Sequence, residues 1–349
     1  MVRVLVVGTG GMAENHAAAF AAMDGVELVA GVDTRAEPLA AFCARHRIGR
    51  GFASVSEALD WGGFDAVTNV TPDAAHYATV MPFLAAGKHV LCEKPLATNA
   101  VQAGAMADAA AQAGVVNMVN LSYRNVAALQ RAAVLVRDGA IGRVRHFEAS
   151  YLQSWLVQPA WGEWRTEAQW LWRLSSAHGS NGVLGDVGIH ILDFATFVAG
   201  QAAAEVSCRL ATFDKAEGGR IGEYVLNAND SATMQLVLEG GAIGTVTATR
   251  FASGHLNDLS LRIHGDAGGL EVTFINNVSR LRACVGADLQ GAVWRDVDCP
   301  AVPTIYARFI AAVRGQGAAV PDFARGAALQ RLVDRAGESA GRGCVSLTV

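Results

Sequence analysis

Apolar and polar positions change their period near residue 120, and the chain divides there. Before that point, short apolar runs alternate with segments whose apolar residues recur every three or four positions. Residues 2–7, 26–32, 66–70, 90–92 and 115–119 have the length and character of strands buried on both faces. Between them, 14–23, 38–46, 74–86 and 99–112 carry helical spacing, another helix starts over 56–59, and Gly87 and Gly114 stand where helices close. This alternation, with loops of a few residues, predicts an α/β unit over residues 1–120: a doubly wound parallel sheet of the Rossmann kind.

Beyond residue 120 the pattern is different. A helix is expected over 127–137, and 143–151 alternates like a half-exposed strand. Alternating strands follow at 206–213, 232–238, 243–251, 259–264 and 270–274, separated by glycine-bearing turns such as Glu239-Gly240-Gly241. Residues 121–349 therefore predict an α+β domain around a large, mostly antiparallel open sheet, serving substrate binding and oligomerisation. One face of that sheet would pack on helices, and the other needs cover. Helices at 306–313 and 327–340, broken at Pro321, are expected to pack back on the first domain, with strand-like residues again at 344–347.

The first strand runs into Gly8-Thr9-Gly10-Gly11-Met12-Ala13, a G-x-G-x-x-A sequence between a strand and a helix. In that context Gly8 makes the tight turn, Gly10 admits the pyrophosphate of a dinucleotide, and Ala13 allows close helix-strand packing. The second strand ends in Asp33, placed to accept hydrogen bonds from the adenosine ribose, or else to cap the next helix. A 2′-phosphate would meet like charge there, which favours NAD; Arg35 keeps NADP open, because its guanidinium could reach a phosphate. Further on, Gly87-Lys88-His89-Val90-Leu91-Cys92-Glu93-Lys94-Pro95 puts two charges at the carboxyl end of a buried strand, where open α/β sheets bind ligands. Pro95 restricts Lys94 and holds its ammonium in one direction. The plain alternative is a surface ion pair at a loop start.

Five of the seven tryptophans (Trp155, Trp161, Trp164, Trp170, Trp172) lie within one stretch, interleaved with Glu163, Arg165, Glu167, Gln169 and Arg173. Such a stretch suits a wall that stacks on carbohydrate C–H faces, or equally core filler or a subunit interface. The following glycine-rich segment, Gly185-Asp186-Val187-Gly188-Ile189-His190, enters a helical pattern that places Asp186 and His190 one turn apart, with Asp193 further along. A histidine beside a carboxylate is a proton-transfer pair. No third ligand cluster accompanies it, so no metal is expected.

With 349 residues, 52% of them hydrophobic and 17% charged, the chain suits two domains and a large core. A net charge of −4 without a lysine-arginine block argues against nucleic acid as a partner. No apolar run approaches the roughly 18 residues of a membrane span, and the opening residues lack the pattern of a signal peptide. Six scattered cysteines without metal-ligand spacing point to reduced thiols and a cytoplasmic location.

These features together resemble the glucose-fructose oxidoreductase / inositol dehydrogenase (Gfo/Idh/MocA) family over nearly the whole chain. Its carriers are residues 8–13, Thr71-Pro72 with His76, residues 87–95, Tyr123-Arg124, residues 185–190 with Asp193, and the tail around Pro321, Gly326 and Ser339. The resemblance implies hydride transfer between NAD(P) and a carbinol carbon of a sugar, polyol or related cyclic hydroxy compound. It implies a cofactor site of Gly8, Gly10, Gly11, Met12, Asp33, Arg35, Thr71, Pro72, His76, Glu93 and Lys94. Lys94, Asp186 and His190 would be the reacting groups, with Tyr123 and Arg124 on the substrate; the tryptophan-rich stretch adds Trp164 and Trp172 as substrate-stacking candidates, and the apolar composition points to a homodimer or homotetramer. One departure is Asn181-Gly182, where many members carry Gly-Gly. Two other functions share the fold: a non-catalytic NAD(P)-binding sugar sensor, and an NAD-dependent glycoside hydrolase.

Overall fold

The computed structural model describes residues 1–159 and 161–349, which divide into two compact units: residues 1–122 with 303–330, and residues 123–302 with 331–349. The first unit carries six strands, β1 (Val2–Val7), β2 (Val26–Val32), β3 (Gly51–Phe52), β4 (Ala66–Asn69), β5 (His89–Cys92) and β6 (Asn117–Val119). Helices α1 (Gly11–Ala21), α2 (Ala36–His46), α3 (Val55–Trp61), α4 (His76–Ala85) and α5 (Ala100–Ala113) alternate with them. All strands are parallel, in the order β3-β2-β1-β4-β5-β6. Val4, Leu5, Val6 and Val7 are at most 1% exposed, as an unbroken apolar strand between two helical layers requires. The strand order reverses at β1, so the ligand crevice of such a sheet lies at the carboxyl ends of β1 and β4. Helix α1 starts at Gly11, ahead of the expected 14, because Gly10 adopts the extended N-cap conformation and lets the glycine-rich turn run straight into the helix.

The second unit holds β7 (Val144–Gln153), β8 (Ala203–Ala211), the ribbon β9 (Arg220–Ile221) and β10 (Tyr224–Val225), β11 (Ser231–Leu238), β12 (Ile243–Thr249), β13 (Asn257–Gly265), β14 (Gly268–Ile275), β15 (Val278–Val285), β16 (Arg295–Asp296) and β17 (Leu347–Thr348). Nine of them form one sheet, β16-β15-β14-β13-β7-β12-β11-β8-β17, antiparallel except where β7 meets β12. Helices α6 (Ala127–Arg137) and α8 (Ile189–Ala199) pack against this sheet, and the short α7 (Ala168–Leu171) belongs to the tryptophan-rich segment. Glu148, Thr233, Gln235, Thr245 and Arg262 alternate with core residues and are exposed. The sequence pattern did not predict β15. It follows a turn with positive φ at both Asn276 (50°) and Asn277 (61°), the geometry of a two-residue hairpin that asparagine tolerates.

After β16 the chain adds α9 (Ile305–Val313) to the first unit and then α10 (Phe323–Gly341), within which the division falls. Tyr306 of α9 meets the rings of His16 and Phe20 edge-on, at 4.8 and 5.5 Å, and the Pro321 carbonyl accepts from the Val119 amide at 2.9 Å. No helix among the described residues is long and apolar enough to cross a membrane.

Candidate active site

In the first unit, Gly8 closes β1 at φ +87°, and a Cβ added there would lie 2.7 Å from the Val70 carbonyl oxygen. That close approach presses the turn against the end of β4. At Gly10 and Gly11 an added Cβ would meet no atom of the described residues within 4 Å. A glycine cap brings no side-chain acceptor to the first turn of α1, and the open space beside Gly10 and Gly11 fits the pyrophosphate of a dinucleotide. Met12 borders this space and is half-exposed, while Ala13 is fully buried against the sheet.

Asp33 is placed at the end of β2 as expected, but it does not cap α2, whose N-cap is Arg35. Its Oδ2 accepts from the Thr9 amide (3.0 Å) and hydroxyl (2.7 Å), and Arg35 donates from its backbone (2.9 Å), Nε and Nη2 (both 3.1 Å). Burial alone would raise the carboxyl; the bonds from Arg35 and Thr9 outweigh it and hold Asp33 well below the usual carboxylate range. The Arg35 guanidinium is thus folded back on Asp33.

Glu93 has a different place from the one expected. It is 8% exposed, and its Oε1 faces His16 Nε2 at 2.8 Å and accepts from Asn120 Nδ2 at 2.5 Å, while Oε2 accepts from the Lys94 amide at 3.1 Å. His16 Nδ1 in turn meets the Thr68 hydroxyl at 2.7 Å, and Asn120 donates to the Tyr306 hydroxyl at 3.2 Å. Burial pushes Glu93 up, but His16, Asn120 and the neighbouring Lys94 charge hold it down at about 2. It is an ionised anchor inside the fold, and Lys94, half-buried, follows it with a fixed backbone. His76 is likewise inside: fully buried, its ring bridges the Pro95 (2.8 Å) and Thr71 (2.9 Å) carbonyls and ties together the loops after β4 and β5. With both nitrogens so engaged it braces these two loops against each other. Thr71 donates its hydroxyl to Asn69 Oδ1 at 2.9 Å, holding the Thr71-Pro72 turn.

In the second unit, residues Leu184–Gly188 form a π-helical turn that leads into α8, with Asp186 in the turn and His190 at the start of the helix. Oδ2 of Asp186 accepts from Nη2 of Arg250 at 2.9 Å. His190 lies in the first turn of α8, 8% exposed, with the Tyr123 ring edge-on at 4.9 Å. Tyr123 and Tyr151 share a short hydroxyl-hydroxyl bond, and Asn257 donates to the Tyr123 hydroxyl at 2.8 Å and accepts from that of Tyr151 at 2.6 Å. Burial, then Tyr123 and the Asp186 charge, push the Tyr151 phenol well up.

Arg124 was expected on the substrate, but it forms a buried bidentate pair with Asp193 (2.6 and 2.8 Å) and stacks on Phe197, clamping the turn after β6 to α8. Trp164 was expected in a stacking wall. It is 3% exposed in an apolar cluster with Trp155, Leu156, Leu171, Leu174 and Leu226, which leaves no ring face open. Trp172 is half-buried with the Arg173 guanidinium 4.5 Å over its ring, and Trp161 is exposed. At the departure Asn181-Gly182, the left-handed position falls on Gly182 (φ +64°), and the Asn181 Cβ stands where a side chain on Gly185 would go.

Sequence reasoning missed His16, Asn120, Tyr306 and Arg250. For Arg250 a signal existed. Gly244, Val246 and Ala248 are the inward positions of an alternating strand, and the same period puts Arg250 inside.

Residues 2–121 match the model of an oxidoreductase family with an NAD-binding Rossmann fold, and residues 129–271 that of the GFO/IDH/MocA C-terminal domain. The chain is 30% identical to levoglucosan dehydrogenase of Pseudarthrobacter phenanthrenivorans over 77% of its own length and 73% of that protein. It is 35% identical to 1,5-anhydro-D-fructose reductase of Ensifer adhaerens over 52% of its length and 51% of that protein. A solved structure of levoglucosan dehydrogenase with NADH and levoglucosan superposes with a TM-score of 0.86 at 25% identity, covering 100% of this chain and 99% of that one. The chain belongs to the Gfo/Idh/MocA family of NAD(P)-dependent oxidoreductases.

Proposed function

We propose that this protein oxidises a carbinol carbon of a sugar, polyol or related cyclic hydroxy compound, or reduces the corresponding ketone, with NAD as the preferred cofactor. Its relation to a levoglucosan dehydrogenase and an anhydrofructose reductase supports that substrate class. The observation that carries the reading is the open cradle at Gly10 and Gly11 in the unit where Glu93, buried and ionised, anchors Lys94. Bound NAD supplies a hydride acceptor, or as NADH a donor, at its nicotinamide ring.

The remaining roles fall to this chain's own side chains. The first-turn amides of α1 hold the pyrophosphate, and Asp33 accepts from the adenosine ribose hydroxyls. The Lys94 ammonium holds the substrate oxygen and stabilises developing alkoxide charge. The His190 imidazole takes the hydroxyl proton, and Asp186 accepts from a second substrate hydroxyl. Lys94→Ala is expected to lower kcat about 10²–10³-fold, and His190→Ala about 10²–10⁴-fold, with NADH affinity within a few-fold of wild type. A panel of sugars and polyols with NAD and NADP, read by NADH absorbance, tests the reaction itself. No net change in cofactor oxidation state with any of them refutes it.

The apolar-rich composition, 52% hydrophobic, and the open nine-stranded sheet support a homodimer or homotetramer, which light scattering at micromolar concentration would contradict by finding a monomer. Six free cysteines support a reducing, cytoplasmic setting.

A further inference from the structure

Arg250 follows β12 and is fully buried, unusual for a charge with no solvent contact. Its guanidinium spreads over three neighbours in the second unit. Nη2 donates to Asp186 Oδ2 at 2.9 Å, Nη1 donates to the Arg173 carbonyl at 3.1 Å, and the Trp155 ring lies 5.1 Å from Cζ. Its own backbone amide donates to the Asp230 carbonyl at 3.0 Å, which fixes where the side chain starts. The carboxylate it grips is 36% exposed, so one end of the ion pair is sealed in the core and the other is presented outward.

An arginine does not give up its proton at any ordinary pH, and its planar fork fixes direction as well as charge. We propose that Arg250 is a positioning residue that holds the Asp186 carboxylate in place as a fixed acceptor for a substrate hydroxyl next to the reacting carbinol. With its carboxylate engaged by the guanidinium, Asp186 serves to hold and orient the substrate, and proton transfer is left to His190. The substrate class narrows accordingly. It must carry at least two hydroxyls, one that reacts and one that Asp186 holds. This rests on the reading of Asp186 as a substrate-binding group given above.

The test compares Arg250→Met, which keeps bulk and removes the charge, Arg250→Lys, which keeps the charge and loses the fork, and Asp186→Asn. Wild-type turnover on the sugar and polyol panel comes first, and its absence refutes the parent reading rather than this one. With a turned-over substrate in hand, Arg250→Met is expected to raise the sugar KM at least tenfold, with a smaller change in kcat and an NADH Kd within twofold of wild type. Arg250→Lys is expected to recover part of that loss but keep KM a few-fold high. Combining Arg250→Met with Asp186→Asn is expected to cost no more than the worse single variant. A wild-type KM in Arg250→Met, or losses that multiply in the double variant, overturns the proposal. Should Arg250→Met not fold, Arg250→Lys carries the test, and a wild-type KM in it overturns the proposal as well.

Discussion

Gly8 and Gly10 stand two residues apart in one loop, and the structure assigns them different work that a single methyl group separates. At Gly8 the backbone sits at φ +87°, a region that costs a residue with a Cβ about 1–2 kcal/mol. The added methyl would also lie 2.7 Å from the Val70 oxygen, 2.8 Å from the Val70 carbonyl carbon and 2.9 Å from the Thr71 nitrogen. These are backbone atoms that cannot rotate away, and overpacking of that kind costs about 1–3 kcal/mol. Gly8→Ala should therefore lose about 3 kcal/mol, or roughly 6–12 °C in Tm at about 2–4 °C per kcal/mol. Gly10 has φ −78° and open space where its methyl would go, so Gly10→Ala should keep the wild-type Tm within about 2 °C. Its methyl would instead stand where the pyrophosphate approaches, and NADH affinity should fall at least tenfold. Thermal unfolding by circular dichroism and NADH titration by fluorescence give both numbers. A Gly8→Ala protein with wild-type Tm refutes the packing argument, and a Gly10→Ala protein with wild-type NADH affinity refutes the placement of the cofactor.

Other consequences are open to the same measurements. Glu93 is depressed to about 2 from an ordinary 4.5, so it contributes stability that is present above pH 4.5 and lost as pH falls towards 2. Glu93→Gln should be less stable at neutral pH, by about 1–3 kcal/mol for the donors it strands, and the gap to wild type should shrink across that acid window; a gap that stays constant contradicts an ionised Glu93. Breaking the buried pair by Arg124→Met should cost about 3–5 kcal/mol in urea unfolding, because Asp193 loses its bidentate counter-charge inside the fold. Unchanged stability there would mean that the clamp is not structural. Asp33→Ser removes a carboxylate held ionised by Arg35 and Thr9 and releases the Arg35 guanidinium, so the ratio of kcat/KM for NADP to that for NAD should rise at least tenfold. An unchanged ratio would place cofactor choice elsewhere.

Wherever period and local chemistry suffice, the amino-acid order determines the outcome. A run such as Val4 to Val7 has no polar side to turn outward, so it must lie between helical layers, and Gly8 to Ala13 can follow it only as a tight turn into a helix. The change to two-residue alternation likewise separates the nine-stranded sheet from the parallel one. What the chain order does not reveal is which polar groups meet once folded. Glu93 and Lys94 are neighbours, yet one turns inward to His16 and Asn120, which lie 77 and 27 positions away, and the other does not share that burial. Arg124 and Trp164 have the chemistry of ligand-binding groups, but Asp193 and an apolar cluster claim them first. The π turn at Leu184–Gly188 is not legible in the residue pattern, and Arg250, which pairs with Asp186, comes from just after β12, 64 residues later. A charge entering the interior is stable only with a counter-charge in reach, and that counter-charge is supplied by whatever segment the fold brings alongside, so it cannot be read from neighbours in the chain.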